Sequence, residues 1–370
     1  MSKFSSAPSG PSRRMFLRTG AGLGAAAGLG LWGTTAQAAA SIDVVMVNAA
    51  ISGPLRSVLE GASGGKINDA PWQSTTDVVS RLTAPGGTGR YDLLIAGSDF
   101  VRKPIMGPRP GSELVLPLDT AKMPNFGQVA DAFKKDVADR DGKVYMVPVF
   151  WGFDSVIYNT EQMPESDPFT QSWAPLFEDK YAGRIAWYDA AHQMIMAAGL
   201  HLGNPKPEDL DGKDLDEVVR FLISRKKNIR TIWSTFAQGT NLLATGEVAC
   251  LYGPIPVRAE LQRKGFKITN AWPKEGVLSF AHSAFVPRDS KNLEASQAVI
   301  NAMLGKDYAS QVTKASGYLS TSNLGSQDFS PEERKRFGYG VLDGSTKHHG
   351  LGFPPAIAKW IEGWNRVKSA

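Results

Sequence analysis

From residue 41 onward, apolar positions fall into two alternating patterns. Short runs rich in Val, Ile, Leu and aromatic residues read as strands: SIDVVMV (41–47), YDLLIAGSDF (91–100, ending in a turn), RIAWYD (184–189), VACLYG (248–253) and VLSFAHSAFVP (277–287). The last is apolar at nearly every position, the pattern of a strand buried on both faces, yet it carries His282 at its centre. YMVPVFWGFDSVIYN (145–159) is a longer apolar pass that Pro148 and Gly152 should break. Between these runs the apolar period lengthens to that of helices. SGPLRSVLE (52–60) opens with a capping serine and an early proline, and AAHQMIMAAGLHLG (190–203) stops at Gly203. DLDEVVRFLISRKK (214–227), STFAQGTNLLATGE (234–247), NLEASQAVINAMLG (292–305) and YASQVTKASG (308–317) follow. The last helix, PPAIAKWIEGWNRVKS (354–369), aligns Ile357, Trp360, Ile361, Trp364 and Val367 on one packing stripe.

Strands alternating with helices predict an α/β fold of mainly parallel sheets flanked by helices, and 370 residues suffice for two lobes with separate cores. In such sheets ligands bind beyond the carboxyl ends of the strands, beside helix N-termini. The turns VNAAISG, AGSDF, WYDAAHQ, IWSTFAQ and LYGPIP are therefore the places to look for a site.

Charge changes the picture only near the start of the chain. The formal net charge is +5, but Lys3, Arg13, Arg14 and Arg18 supply +4 of it within residues 1–38, which hold no acid. The remainder is nearly neutral and does not interleave basic with aromatic residues, so nucleic acid is not an expected partner. SRRMFLR (12–18), a weakly apolar Gly/Ala stretch and Ala36-Gln37-Ala38 resemble a twin-arginine export signal with cleavage after Ala38. That stretch is too short and glycine-rich for a transmembrane anchor. A periplasmic protein is expected. GAGLGA (20–25) imitates a dinucleotide fingerprint but follows no strand.

Cofactor and catalytic chemistry find no foothold. The lone Cys250 cannot form a disulfide within the chain, and the five histidines show no zinc spacing. GASGG (61–65) matches G-x-S-x-G by letter but follows a helical run and not a strand, so it is no nucleophile elbow, and H-E-x-x-H does not occur. No enzyme activity, metal or cofactor is expected, and nothing suggests more than a monomer. An exported enzyme stays open as an alternative.

Six stretches occur in a characteristic order: YDLLIAGSDFVRK, VPVFWGFDSVIYN, SWAPLFEDKYAGRI, TGEVACLYG, WPKEGVLSFAHSAFVPRDSKN and ASGYLSTSN. Together they resemble the spermidine/putrescine-binding proteins of bacterial ABC importers, over about residues 42–370. The resemblance implies the type II periplasmic binding fold, a solute closed between two lobes by hinge motion, and delivery to a membrane permease. The ferric-ion-binding branch of the same fold stays open as an alternative, although the paired adjacent tyrosines typical of it do not occur here. Lobe 1 is expected at 41–148 plus 284–325 and lobe 2 at 149–283 plus 326–370, with crossover strands near Val147–Gly152 and His282–Val286.

That family grips amines with carboxylates and aromatic rings. Here the positions of the acids align with Ala190, Gln193 and His282, and a one-residue shift in the helix would move Asp189 onto one of them. Ring positions align with Phe280, Tyr252 and Tyr318, while Ala49, after Asn48, and Asp99, after Ser98, stand where rings would. The candidate ligand-binding residues are Asn48, Ser98, Asp99, Trp151, Asp189, Gln193, Ser234, Tyr252, Phe280, His282 and Tyr318. Asp154 lies near the same cleft, and Trp173 and Trp187 are assigned to packing. Asp189 either caps its helix or touches solute, Trp151 either walls the site or packs between lobes, and His282 is either a site wall or a buried ring bonded to backbone. The expected solute is small and polar: a polyamine or related amine, an opine, or a zwitterion.

Overall fold

The computed structural model describes residues 41–370. Its strands are β1 (Ile42–Val45), β2 (Ile67–Ala70), β3 (Leu93–Gly97), β4 (Ala138–Arg140), β5 (Lys143–Asn159), β6 (Ile185–Tyr188), β7 (Ile229–Trp233), β8 (Cys250–Pro254), β9 (Ile268–Asn270), β10 (Val277–Phe285), β11 (Leu319–Ser320) and β12 (His348–Gly350). The helices are α1 (Pro54–Ser63), α2 (Thr75–Thr83), α3 (Ser98–Met106), α4 (Ala191–His201), α5 (Gly212–Arg225), α6 (Phe236–Ala244), α7 (Ile255–Arg263), α8 (Leu293–Leu304), α9 (Lys306–Ser316), α10 (Pro331–Phe337) and α11 (Ile357–Ser369).

All strands join one sheet whose main path runs β2-β1-β3-β10-β5-β8-β6-β7. At one end β2, β1 and β3 are parallel, and at the other β8, β6 and β7 are parallel. The antiparallel strands β10 and β5 lie between them. Strand β5 has 17 residues, about 57 Å at 3.3–3.4 Å each, so one strand serves both ends of the sheet. Its first part pairs with β4 and β10, its last part with β8 and β9.

Pro148 and Gly152 do not break β5, contrary to the sequence expectation. Proline offers no N–H to a ladder, and β5 absorbs it at an irregularity: His282 pairs with Phe150 while Ser283 pairs with Pro148, leaving Val149 as the extra residue. Gly152 is required by contact, since a Cβ there would lie 2.8 Å from Phe280 Cζ.

Packing follows the two parallel ends. One core gathers Val44, Leu93, Ile95, Phe150, Val299, Ile300 and Tyr308. Another gathers Trp173, Trp187, Ile195, Leu222, Tyr252, Trp360 and Trp364. Strand β5 feeds both, with Phe150 to Phe153 in the first and Val156 and Tyr158 in the second, while Phe280 packs against each. Trp173, Trp187 and Trp360 are fully buried, as packing residues should be.

Several local expectations change. Helix α1 is capped by Gly53, at φ +61°, and not by a serine side chain. AGSDF forms no free turn, because β3 passes directly into α3. Strand β10 is buried at its ends but partly open at Ser279, Phe280 and Ala281. Strands β2, β4, β9, β11 and β12 and helices α2, α3, α7 and α10 have no counterpart in the sequence reading.

Candidate functional site

Where the two parallel ends face each other, a cavity of about 260 Å³ opens above β5 and β10. Helices α2, α3, α4 and α6 begin at its rim, each just after an extended segment, so their unpaired backbone N–H groups and positive dipole ends gather there. These starts are fixed locally. Ser74 Oγ accepts from Asp77 N at 3.1 Å, and Thr75 Oγ1 accepts from Gly97 N at 3.0 Å, tying α2 to β3. At α6, Thr235 and Gln238 form a capping box.

The wall on the β3 side is aromatic. The His282 ring stacks on Phe150 at 5.1 Å and meets Phe280 edge-on at 5.5 Å, with Trp72 and Tyr318 at 5.9 and 6.1 Å. His282 is 7% exposed, its Nδ1 has no partner in the protein, and burial pushes its pKa down to about 3. The ring is therefore neutral, with one donor and one acceptor nitrogen. Trp72 Nε1, a donor only, is also buried without an acceptor.

The opposite wall is acidic. Asp154, on β5, is 3% exposed, and its Oδ2 accepts from Tyr252 OH at 2.7 Å. Its Oδ1 is buried with no partner. Burial pushes this carboxyl up to about 7, against the lowering effect of the Tyr252 hydrogen bond. Gln193, in the first turn of α4, likewise has a buried Oε1 without a partner, and burial pushes the neighbouring His192 down to about 4. Four buried polar groups along one cavity, unpaired within the protein, are the mark of a place that receives a polar molecule, since buried polar atoms in folded chains are nearly all paired.

The family model described as bacterial extracellular solute-binding protein matches residues 70–335. This chain belongs to that family. The solute-binding protein is 26% identical over 271 residues to spermidine/putrescine-binding periplasmic protein 1 of Haemophilus influenzae, covering 73% of this chain and 72% of the relative. In structure it is similar to the spermidine/putrescine ABC transporter substrate-binding protein of Streptococcus pneumoniae (TM-score 0.73, 20% identity, 89% of this chain and 98% of that one). It is also similar to the A. tumefaciens B6 binding protein MotA in complex with glucopine (TM-score 0.69, 14% identity, 89% and 100%). The fold is thus the type II periplasmic binding fold.

Within this solute-binding protein, Ser98, Asp99, Asp189, Gln193, Phe280, His282 and Tyr318 line the cavity. Asn48, Trp151, Ser234 and Tyr252 do not line it. Asn48 sits in a short helical turn after β1. Trp151 points to the other face of β5, where its Nε1 donates to Ser320 O at 3.1 Å beside a second cavity of about 280 Å³. Ser234 donates through N and Oγ to Gln238 Oε1, completing the start of α6. Tyr252 is fully buried behind Asp154, stacked between Trp173 and Tyr188.

Asp189 neither caps α4 nor stands free, because its Oδ1 accepts from Trp364 Nε1 and Lys368 Nζ at 2.8 and 2.9 Å. Ser98 Oγ is engaged with Ser283 Oγ and Ala281 O. His282 is not bonded to backbone through Nδ1. The sequence reading left out Trp72 and Tyr188, and gave Asp154 only a neighbouring place. The twin-arginine residues Arg13 and Arg14, and the cleavage after Ala38, lie outside the described residues.

Proposed function

We propose that this protein is the periplasmic solute-capturing component of a bacterial ABC importer. It takes up a small polar solute bearing an amine and hands it unchanged to a membrane permease. The observation that carries this reading is the cavity between two separately packed cores, lined from both sides by buried polar groups without partners among the described residues and floored by the long strands β5 and β10 that join the cores. The names of its relatives support an amine-bearing solute: a polyamine, a related amine, an opine or a zwitterion.

The lobes of this reading are residues 41–148 with 284–325 and residues 149–283 with 326–370, although Phe329, Tyr339 and Val341 reach across to the first core. Contacts from both lobes stabilise the closed form, so solute drives hinge closure. The protein acts as a monomer, is exported by the twin-arginine route through Arg13 and Arg14, and is cut after Ala38. Among the described residues no helix is long and apolar enough to cross a membrane. The family assignment favours solute capture over an exported enzyme or a ferric-ion carrier.

A thermal-shift screen of the mature protein tests the reading. An amine, opine or amino acid that raises the melting temperature with a concentration dependence set by mass action supports it. Turnover of any of these compounds would sink it.

A further inference from the structure

Three aspartates line the cavity, and they are not equivalent. Asp189 is held by Trp364 and Lys368. Asp99 is exposed at the rim. Of the three, Asp154 alone is buried with a carboxylate oxygen that no described residue pairs. Among the described residues no lysine or arginine lines the cavity, so no protein cation there neutralises Oδ1 and a cationic solute is the partner that would. Leaving a buried carboxylate oxygen unpaired costs several kcal/mol, and a cationic N–H donor is the group that offsets it best.

At the other end stand Trp72 Nε1–H, which can only donate, and the neutral imidazole of His282. Asp154 pairs with Leu278 on β10, and His282 lies four residues further along the same face. That spacing is about 13 Å along the strand, with Phe280 between. The helices α2 and α3, each of nine residues, begin beside Trp72 and Ser98, so their dipoles also favour an electron-rich group at this end.

We infer that the solute carries a single buried positive charge: its ammonium meets Asp154, and its far end presents a hydrogen-bond acceptor to Trp72 and His282. The inference rests on the solute-capture reading above and narrows it to an amino alcohol or ω-amino acid class. Asp154 is the specificity-determining residue, and Tyr252 is a positioning residue that holds its Oδ2. A diamine of equal length would place its second ammonium beside Trp72, Phe280, Tyr318 and the neutral imidazole of His282, where the only acid, Asp99, is exposed at the rim and none is buried to receive it.

Calorimetry with four- and six-carbon series tests this: the α,ω-diamine, the amino alcohol, the amino acid and the diol. At one length or both, the amino alcohol or amino acid should bind at least tenfold more tightly than the diamine, and the diol should not bind. Asp154→Asn should weaken that binding at least 30-fold without lowering the melting temperature of the free protein. Should Asp154→Asn fail to fold, Tyr252→Phe keeps the carboxylate but removes its donor, and the pH midpoint for binding should move upward. A diamine as the tightest ligand, unchanged affinity in Asp154→Asn, or an unmoved midpoint in Tyr252→Phe each overturns the inference. If sugars or diols shift melting and no amine does, the inference falls while solute capture stands. If no compound of a broad metabolite panel shifts melting, both fall.

Discussion

The two walls of the cavity meet burial in opposite ways. On the β10 side His282 loses its proton affinity, down to about 3, and on the β5 side Asp154 gains it, up to about 7. Both changes have the same cause, the cost of holding charge away from water. They differ in what can undo them. Asp154 sits near half-ionised at neutral pH, so an approaching ammonium can restore its charge. His282 is several pH units from protonation and acts as a fixed neutral wall. One wall therefore answers a ligand's charge, and the other reads only its shape and hydrogen-bonding pattern.

The largest expected effect breaks this contrast through pH. The titratable groups that line the cavity with Asp154 are Tyr188 on β6, Tyr318, His282 on β10, His192 and Asp189 around the start of α4 and Asp99 in the first turn of α3, and Tyr252 on β8 touches Asp154 from behind. Burial raises the three tyrosines and lowers both histidines, so these stay neutral from pH 5 to 8. Amine binding then follows ionisation of Asp154 and should strengthen about 100-fold from pH 5 to 8. A flat affinity profile by calorimetry would show that Asp154 does not meet the ammonium.

Tyr252→Phe is next in size. It leaves Asp154 Oδ2 without its donor and should weaken amine binding about tenfold at pH 7, with packing against Trp173 kept. Equal affinity for the two proteins would detach Tyr252 from the site altogether.

Stability against pH sharpens the contrast further. Asp154 has a folded pKa above its unfolded one, so its contribution to stability is present below about 4 and is lost as pH rises to about 7. His282 has a folded pKa below its unfolded one, so its contribution grows as pH rises from about 3 to 6.5. The two slopes offset one another between pH 4 and 6.5. Asp154→Asn should remove one of them and make the free protein's denaturation midpoint rise more steeply with pH over that window. An unchanged slope would mean that Asp154 titrates alike in folded and unfolded chains.

The smallest effects belong to the neutral wall. Trp72→Phe keeps the ring and removes Nε1–H, and should weaken binding about threefold to tenfold with little change in melting temperature. His282→Ala should weaken binding without unfolding the protein. A large loss of stability at unchanged affinity would instead make His282 a packing residue of the Phe150 and Tyr318 cluster.

Much of this architecture was legible in the hydrophobic pattern. The period-two and period-3.6 runs mark six of the twelve strands and seven of the eleven helices among the described residues, and the long apolar pass before Asn159 marks β5 because no other segment after residue 40 stays apolar for so long. Helix α2 escaped because its apolar residues are few, although Ser74-Thr75-Thr76-Asp77 is a start signal that could have found it, and Trp72 with it. Asp154 was visible as the only charge in an apolar stretch. Its partner was not, since Tyr252 lies 98 residues away and meets it only through the β5–β8 pairing.

The order of apolar and polar residues alone determined that this chain alternates strands with helices and gathers its turns around a cleft, because backbone periodicity is local. Which acid stands unpaired in that cleft was decided by tertiary structure. Alignment by position put weight on Asp189 and on the lost acid at His282, but the C-terminal helix claims Asp189, and the fold buries Asp154 where water cannot solvate it. Desolvation and hydrogen-bond partnership depend on residues far apart in the chain, and those two quantities set which carboxylate can hold a ligand.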